Sequence, residues 1–193
     1  MSSRYLVLGA GAMGRVVALD LASAEGTEAV ILADSDAETM ADAARFIGSP
    51  KVRTVVLDVS DCAAVVEAMR GVDVAVSCVP YRFNFELSKA AIEAGCHLCD
   101  LGGNNDIVRK QLCLDARARK AEVTIIPDCG LAPGLATVLV ADALRRMDKV
   151  DELHLRVGGL PLEPRPPLDY MLLFNPAGLV NEYKERPVVL RGG

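Results

Sequence analysis

Tyr5-Leu-Val-Leu-Gly-Ala-Gly-Ala-Met-Gly-Arg15 contains the strongest indication of how this chain folds. Its apolar start predicts a buried β-strand, and the residues after Gly14 continue in a helical pattern. The glycines between them match Gly-x-Gly-x-x-Gly, the pattern of a loop that binds a dinucleotide. In that pattern Gly9 allows a sharp turn, Gly11 allows the backbone to approach a pyrophosphate, and Gly14 lets the helix lie close to the sheet. The alternative is a turn of small residues that only packs the helix against the strand.

The pyrophosphate is expected at the start of the helix that follows the glycines. The first backbone amides of a helix have no partner within it, and the helix dipole favours negative charge there. The predicted cofactor contacts in this loop are Gly9, Ala10, Gly11, Ala12, Met13 and Gly14.

An acidic residue follows the second predicted strand, which covers 28–33. Asp34 lies about 20 residues beyond the glycines, where a carboxylate can accept hydrogen bonds from both ribose hydroxyls of the adenosine half. It would also repel the 2′-phosphate of NADP. Ser35 and Asp36 follow it, and neither supplies the arginine of an NADP site. The sequence therefore predicts NAD, with NADP less favoured; the alternative is that Asp34 only begins the next turn.

Alternating apolar runs and helical patterns continue to about residue 147 and predict an α/β fold with a doubly wound parallel sheet, the Rossmann fold. A capping box, Ser35-x-x-Glu38, begins the second helix, and Pro133 is placed as the first residue of the last. Either Ser60 or Asp61 caps the third helix. The remaining strands are predicted over 52–57, 72–79, 97–100 and 123–126, and the helices over 15–24, 35–47, 61–69, 85–94, 106–120 and 133–147.

The carboxyl ends of the strands border the crevice where such a sheet binds its ligand. Asp58 follows the third strand, where it can hold the adenine amino group or only cap its own loop. Cys78, Val79 and Pro80 follow the fourth strand and are predicted to border the nicotinamide.

A glycine loop follows the fifth predicted strand. Gly102 and Gly103 permit close approach of the backbone, so they are predicted cofactor contacts. Tyr81, at the end of the fourth strand, can wall a substrate pocket or serve as an apolar lid over its loop.

Composition and charge limit the possible functions. The chain has 193 residues, 51% of them hydrophobic, and a formal net charge of −5. It can therefore bury a core and has no basic surface to attract nucleic acid. No apolar stretch approaches the roughly 20 residues that span a bilayer, and the N-terminus lacks the layout of a signal peptide, so no membrane association and a cytoplasmic location are expected.

The six cysteines lie in apolar segments, which predicts reduced thiols buried as small hydrophobic side chains. Cys96 and Cys99 resemble a metal or redox pair in spacing. In a strand, however, three residues cover about 10 Å and the two side chains point to opposite faces. We therefore expect no metal site, and a structural role for His97.

The chain is predicted to divide at residue 150. Residues 1–149 form the dinucleotide-binding domain, and 150–193 form the incomplete beginning of a second α/β domain. Residues 151–157 alternate like a strand, 158–167 are too rich in proline for regular structure, and the tail holds one more helix or strand. About forty residues cannot build a core of their own, so a fragment of a longer enzyme, or a shortened relative, is expected.

Several motifs together resemble the saccharopine dehydrogenase-like reductases, and within that family they are most similar to the lysine 6-dehydrogenase group. The resemblance runs along nearly the whole chain. It implies a Rossmann domain, a mixed α/β domain for substrate binding and dimerisation, and a homodimer of the full-length protein. The motifs are Leu8-Gly-Ala-Gly-Ala-Met-Gly14, Cys78-Val-Pro-Tyr81, Asp100-Leu-Gly-Gly103, Ile126-Pro-Asp-Cys-Gly-Leu-Ala-Pro-Gly134, Val157-Gly-Gly-Leu-Pro161 and Pro166-Pro-Leu-x-Tyr170.

The resemblance implies an NAD(P)-dependent dehydrogenase that acts on the CH–NH or CH–NH2 group of a small amino acid or amine. Such an enzyme must align the amine-bearing carbon with the nicotinamide and keep the amine neutral. Asp100 and Asp128, at the ends of the fifth and sixth strands, can accept the ammonium proton or can be loop caps; with Tyr81 they are the predicted catalytic residues. A nucleotide-binding module without turnover is the alternative. A short-chain reductase is disfavoured because no Tyr-x-x-x-Lys pair occurs.

Overall fold

The computed structural model describes residues 2–167, 169–171, 176–184, 186 and 189–192. Leu168, which belongs to the last family motif, and eight further residues of the predicted tail lie outside the described residues. Within them, no helix is both long enough and apolar enough to cross a membrane.

Six parallel strands form one sheet in the order β3-β2-β1-β4-β5-β6. The chain begins in the middle of the sheet, moves outward to β3, and then crosses back so that β4 pairs with β1. This reversal places the carboxyl ends of β1 and β4 side by side, and it confirms the predicted doubly wound fold. The strands are β1 (Ser3–Leu8), β2 (Thr27–Asp34), β3 (Val52–Val56), β4 (Val74–Ser77), β5 (His97–Asp100) and β6 (Ile125–Ile126).

Helices cover both faces of this sheet because successive side chains of a strand point to opposite sides. Leu6 and Leu8 of β1 pack with residues of α3 and α4, whereas Val7 packs with residues of α1 and α2. Full burial of each such side chain contributes about 2 kcal/mol. The helices are α1 (Ala12–Ser23), α2 (Ala37–Ile47), α3 (Cys62–Met69), α4 (Asn84–Ala94), α5 (Asn105–Leu112), α6 (Asp115–Lys120), α7 (Leu135–Leu144) and α8 (Pro176–Lys184).

The helix predicted over 106–120 is two helices, so that prediction was wrong in its continuity. The Leu114 amide donates to the carbonyl of Gln111 at 2.9 Å, which tightens the turn between α5 and α6. The break lets Leu114 and Ala118 pack with Ile92 and Val123 in a third small core. The free energy gained by burying these side chains exceeds that of the backbone hydrogen bonds that a continuous helix would add.

Two predicted helix starts were also wrong. Asp36, not Ser35, caps α2, because its carboxylate accepts hydrogen bonds from the Glu38 amide and the Thr39 hydroxyl. Both hydrogen bonds lower the pKa of Asp36, and the one from the Thr39 hydroxyl has the larger effect. The last helix of the sheet region begins at Leu135 rather than Pro133, since the chain first folds through a tight turn from Gly130 to Gly134. For α3 the cap is Asp61.

The strand predicted over 151–157 does not form. These residues are exposed, and no strand pairs with them in the described chain. A strand needs a neighbour for its backbone hydrogen bonds, and alternation alone does not provide one. Residues 158–167 lack helix and strand, as their prolines predict, and α8 is the one regular element found in the described part of the tail.

The prediction that the cysteines are buried holds for Cys96, whereas Cys78 and Cys99 are half-buried and three others are exposed. Cys62 lies in the first turn of α3, Cys113 follows the last turn of α5, and Cys129 lies in the loop after β6; all three are exposed. All six cysteines carry free thiols in the structure.

Candidate functional site

Two glycines of the first loop are required by contacts within the protein. Gly9 has a φ of 97° and donates to the carbonyl of Ala33 at 2.7 Å, and an added Cβ would lie 3.0 Å from the carbonyl oxygen of Cys78. An added Cβ at Gly14 would overlap the Gly9 carbonyl oxygen. The turn and the close approach of α1 to β1 therefore need glycine at both positions, as the sequence predicted.

Gly11 is different because its free side faces open space. An added Cβ there would meet no protein atom within 4 Å. Gly11 precedes α1, no side chain caps the helix, and Ala12 and Met13 are exposed. The amides at the start of α1 therefore face an open cradle, which fits a phosphate group.

Asp34 lies at the tip of β2 and points toward this loop. Its Oδ2 accepts a hydrogen bond from the Ala10 amide at 2.8 Å, and its Oδ1 accepts one from the Asp36 amide at 3.0 Å. A carboxylate oxygen can accept about two hydrogen bonds, so each retains room for a hydroxyl donor. The carboxylate is thus fixed beside the glycine turn with capacity for a ribose diol.

Asp58 makes its hydrogen bonds within its own loop. Its Oδ1 accepts from the amide of Ser60 at 2.8 Å and from the Ser60 hydroxyl at 2.7 Å. Both donors lower the pKa of Asp58, and the Ser60 amide has the larger effect. The loop-capping alternative describes these contacts, and none of them reaches the glycine turn.

The β4 loop lies directly against the glycine turn. The Cys78 amide donates to the carbonyl of Leu8 at 2.8 Å, and Val79 Cγ1 would be 3.1 Å from a Cβ at Gly9. Burial raises the pKa of the Cys78 thiol to about 12, so the thiol is neutral at physiological pH. Pro80 precedes a short 3₁₀ turn over Tyr81–Phe83.

A second cluster forms where the loops after β4, β5 and β6 meet. The Tyr81 ring lies beside Gly103, where an added Cβ would be 3.2 Å from Cδ1, and Asp128 Oδ1 occupies the space that a Cβ of Gly102 would need. Both glycines have positive φ, 73° for Gly102 and 118° for Gly103. The structure therefore brings together four of the predicted site residues from three loops.

Asp100 has a different environment because its side chain is fully buried. Its Oδ1 accepts from the Gly102 amide at 2.7 Å and lies 3.4 Å from the Asp128 amide, while Oδ2 accepts from Gln111 Nε2 at 2.7 Å. The backbone carbonyl of Asp100 accepts from the Cys129 amide at 2.7 Å. Asp100 thus joins the β5 and β6 loops, and a substrate could touch its carboxylate only if these loops opened.

The buried polar side chains behind Asp100 were not predicted from the sequence. Gln111 also donates to Ser88 Oγ at 2.9 Å, and the Ser88 hydroxyl donates to the carbonyl of Asn84 at 2.7 Å. Ser77, at the end of β4, donates to Asn84 Oδ1 at 2.7 Å. Gln111 could have been found from its spacing, since Ile107, Gln111, Leu114 and Ala118 recur at helical intervals on an otherwise apolar face.

Asp128 is half-buried and has a φ of 58°, in the left-handed region that costs a non-glycine residue about 1 kcal/mol. Its neighbours hold it there, through the contact with Gly102 and the approach of its amide to Asp100. Backbone strain of this kind clusters at functional sites. Asp128 is therefore the predicted acid that the fold positions at the surface of the second cluster.

Known proteins share both the sequence pattern and the fold. The family model described as the saccharopine dehydrogenase NADP binding domain matches residues 5–126. The NADP⁺-dependent, L-glutamate-forming saccharopine dehydrogenase of Schizosaccharomyces pombe is 29% identical over 149 residues, which cover 74% of this chain and 32% of that protein. Carboxyaminopropylagmatine dehydrogenase of Synechocystis is 29% identical over 161 residues, covering 79% of this chain and 40% of that enzyme.

A solved structure confirms the fold. Apo saccharopine dehydrogenase (L-Glu forming) from Saccharomyces cerevisiae superimposes with a TM-score of 0.63 at 24% identity, over 75% of this chain and 31% of that one. The aligned part of this chain thus corresponds to between 31% and 40% of the lengths of these relatives. The family model matches more than half of the residues of this chain. The chain therefore belongs to the family of saccharopine dehydrogenase NADP-binding domains.

Proposed function

We propose that this chain binds NAD in the crevice between the glycine turn after β1 and the second cluster, and that it serves an oxidoreductase that acts on the C–N bond of an amino acid or amine. The observation that carries the proposal is the carboxylate of Asp34, held by the Ala10 amide beside an open glycine turn. A diol donates to such an anchored carboxylate, and the amides at the start of α1 suit the pyrophosphate.

The preference for NAD over NADP follows from charge. The family description and the S. pombe relative name NADP. In this chain a 2′-phosphate would approach the Asp34 carboxylate, which two backbone amides hold in place. Repulsion at this short range, with Ser35 and Asp36 following instead of arginine, disfavours the phosphate.

Fluorescence titrations with NADH and NADPH test this proposal. We expect NADH to bind at least about tenfold more tightly, which corresponds to about 1.4 kcal/mol. Replacing Asp34→Ser together with Ser35→Arg should reverse the preference, and Gly11→Val should abolish binding of both nucleotides without unfolding the chain. Asp20→Asn, an exposed change elsewhere on α1, is the matched control. Failure of the folded chain to bind either nucleotide would refute the proposal.

The chemistry assigned to the second cluster is hydride removal from an amine-bearing carbon. The bound nicotinamide supplies the hydride acceptor. Tyr81 packs along the substrate, and Asp128 accepts the proton of the substrate ammonium, so that the nitrogen lone pair can assist the reaction. Asp100 is a positioning residue, since its carboxylate fixes Gly102 and Asp128 through their amides. Asp128→Asn should lower kcat at least about 100-fold and leave NADH affinity unchanged.

A nucleotide-binding module without turnover is the second function we consider. Its support is that residues 148–167 form no helix or strand and are almost all exposed, so they add no wall to the second cluster. An assay with L-lysine and NAD separates the two functions. Reduction of NAD favours the dehydrogenase, whereas NADH binding without turnover on a panel of amino acids and amines favours the module.

A further inference from the structure

A cavity of about 440 Å³ lies between the second cluster and α8. Tyr81 forms one side of it, and the other side belongs to α8. Since Tyr81 also lies beside Gly103, the cavity adjoins the loop that we assign to the cofactor. Its described lining residues are Tyr81, Pro176, Val180, Asn181 and Lys184.

Asn181 attaches α8 to this loop. Its Nδ2 donates to the Gly103 carbonyl at 2.7 Å, and its Oδ1 accepts from Asn104 Nδ2 at 3.3 Å. A side-chain amide that both donates and accepts fixes the helix in rotation as well as in distance. The residues that share its face of α8 are therefore held toward Tyr81.

Lys184 lies three residues after Asn181 and four after Val180, on the same face of the helix. Among the described residues that line the cavity, it is the only one with a charged side chain. It is exposed, and none of the ion pairs found in the described parts of the chain involves it. The ammonium group is thus available to an anion inside a pocket whose other described lining residues are apolar or neutral.

We propose that Lys184 binds a carboxylate of the substrate and thereby selects amino acids over the corresponding simple amines. This inference rests on the proposed function of the second cluster. The ammonium group donates charge-assisted hydrogen bonds to the carboxylate, while Val180 and the Tyr81 ring pack against the methylene groups. The amine-bearing carbon then lies at the Tyr81 end of the cavity, and the carboxylate lies at the α8 end.

Pairs of ligands that differ only in the α-carboxylate test this inference. The full chain is saturated with NADH and titrated with L-lysine against cadaverine, L-ornithine against putrescine, and L-norleucine against pentylamine. We expect the amino acid of at least one pair to bind about tenfold more tightly than its partner, the contribution of one hydrogen bond to a charged group. Equal affinities within all three pairs would overturn the inference.

Variants at residue 184 identify the group responsible. Lys184→Met should reduce the affinity for the amino acid to that for the amine and leave the affinity for the amine unchanged, whereas Lys184→Arg should retain the preference. If Lys184→Met does not fold, Lys184→Gln takes its place in the same measurement. Lys120→Met makes the same chemical change at the end of α6 and should retain the preference. A preference that survives Lys184→Met would also overturn the inference.

The NADH titration of each variant separates this inference from the proposed function. Normal NADH affinity without discrimination between the ligand pairs means that only the assignment of Lys184 fails. If the unmodified chain does not bind NADH, the proposed function fails.

Discussion

The chain contains two regions that are similarly apolar in sequence but differ in burial. In the first, residues 3–126, side chains such as Leu6 and Leu98 are fully buried between the sheet and its helices. In the second, residues 127–184, α7 is almost entirely apolar, yet Val138 and Leu139 are 65% and 60% exposed and only Ala136 of this helix is buried.

Apolar content creates stability only where a second layer covers it. Strands β1, β2, β4 and β5 of the first region have helices against them, so the hydrophobic effect is realised there, whereas the edge strand β3 is mostly exposed. The described part of the second region is attached largely by polar contacts, such as the bonds of Asn181 to the β5 loop. We expect stability to reside in the first region, while substrate selection depends on the second.

The largest effect is expected where α1 crosses β1. A methyl group added by Gly14→Ala would overlap the Gly9 carbonyl oxygen, which is backbone and cannot rotate away. We expect a loss of about 4 kcal/mol in the free energy of unfolding, measured with urea. Gly11→Ala adds the same methyl group in open space and should leave stability within about 0.5 kcal/mol. Equal stability of both variants would contradict this account of the loop.

A matched pair of leucines compares the two regions directly. Leu98→Ala empties a fully buried site in β5 and should cost about 3 kcal/mol, whereas Leu139→Ala in α7 should cost less than about 0.5 kcal/mol. The measurement is again the free energy of unfolding. A large cost for Leu139→Ala would mean that α7 is covered in solution. The homodimer implied by the family resemblance stays a prediction, and sedimentation would then test whether it provides the cover.

The junction between the regions depends on the carboxylate of Asp100. Asp100→Asn keeps the shape but directs an amide N–H toward Gly102 or Gln111, both of which are donors. An unmatched buried donor should cost about 2 kcal/mol of stability. Asp106→Asn, at an exposed ion pair with Arg109, is the control and should cost less than about 0.5 kcal/mol. A neutral outcome for Asp100→Asn would show that the β5 and β6 loops do not need this carboxylate.

Much of the first region could be predicted from the sequence because local signals and burial agree there. The glycine pattern and the apolar strands specify the same topology, and β5 was predicted to the residue. The sequence also indicated Asp34, whose position depends on strand order alone. It could not show that Asp34 bonds to the Ala10 amide, because that contact joins residues whose separation in space depends on the whole sheet.

The failures occurred where tertiary contacts override local pattern. The alternation over 151–157 predicts a strand correctly only if a neighbouring strand exists, and the break between α5 and α6 depends on packing against Ile92 and Val123. The polar groups around Asp100 are distant in sequence, so spacing could not distinguish a catalytic carboxylate from a buried one. Asn181 contacts Gly103 across 78 residues, and no local signal indicated it.

The smallest effect concerns pH and compares a partly buried thiol with an exposed one. Burial raises the pKa of Cys78 from 9.0 to about 12 in the folded state. The unfolded chain therefore loses this proton first, and the stability gained from the neutral buried thiol is complete below pH 9 and declines as pH rises toward 12. Between pH 9 and pH 10 the free energy of unfolding should fall by about 1 kcal/mol on account of this thiol.

Comparison of variants isolates that contribution from other groups that titrate at alkaline pH. Cys78→Ala should show a shallower decline of stability between pH 9 and pH 10 than the unmodified chain. Cys62→Ala, at an exposed site in α3, should decline as steeply as the unmodified chain. If both variants show the same slope, solvent reaches Cys78, and the β4 loop does not close over the glycine turn as tightly as its contacts indicate.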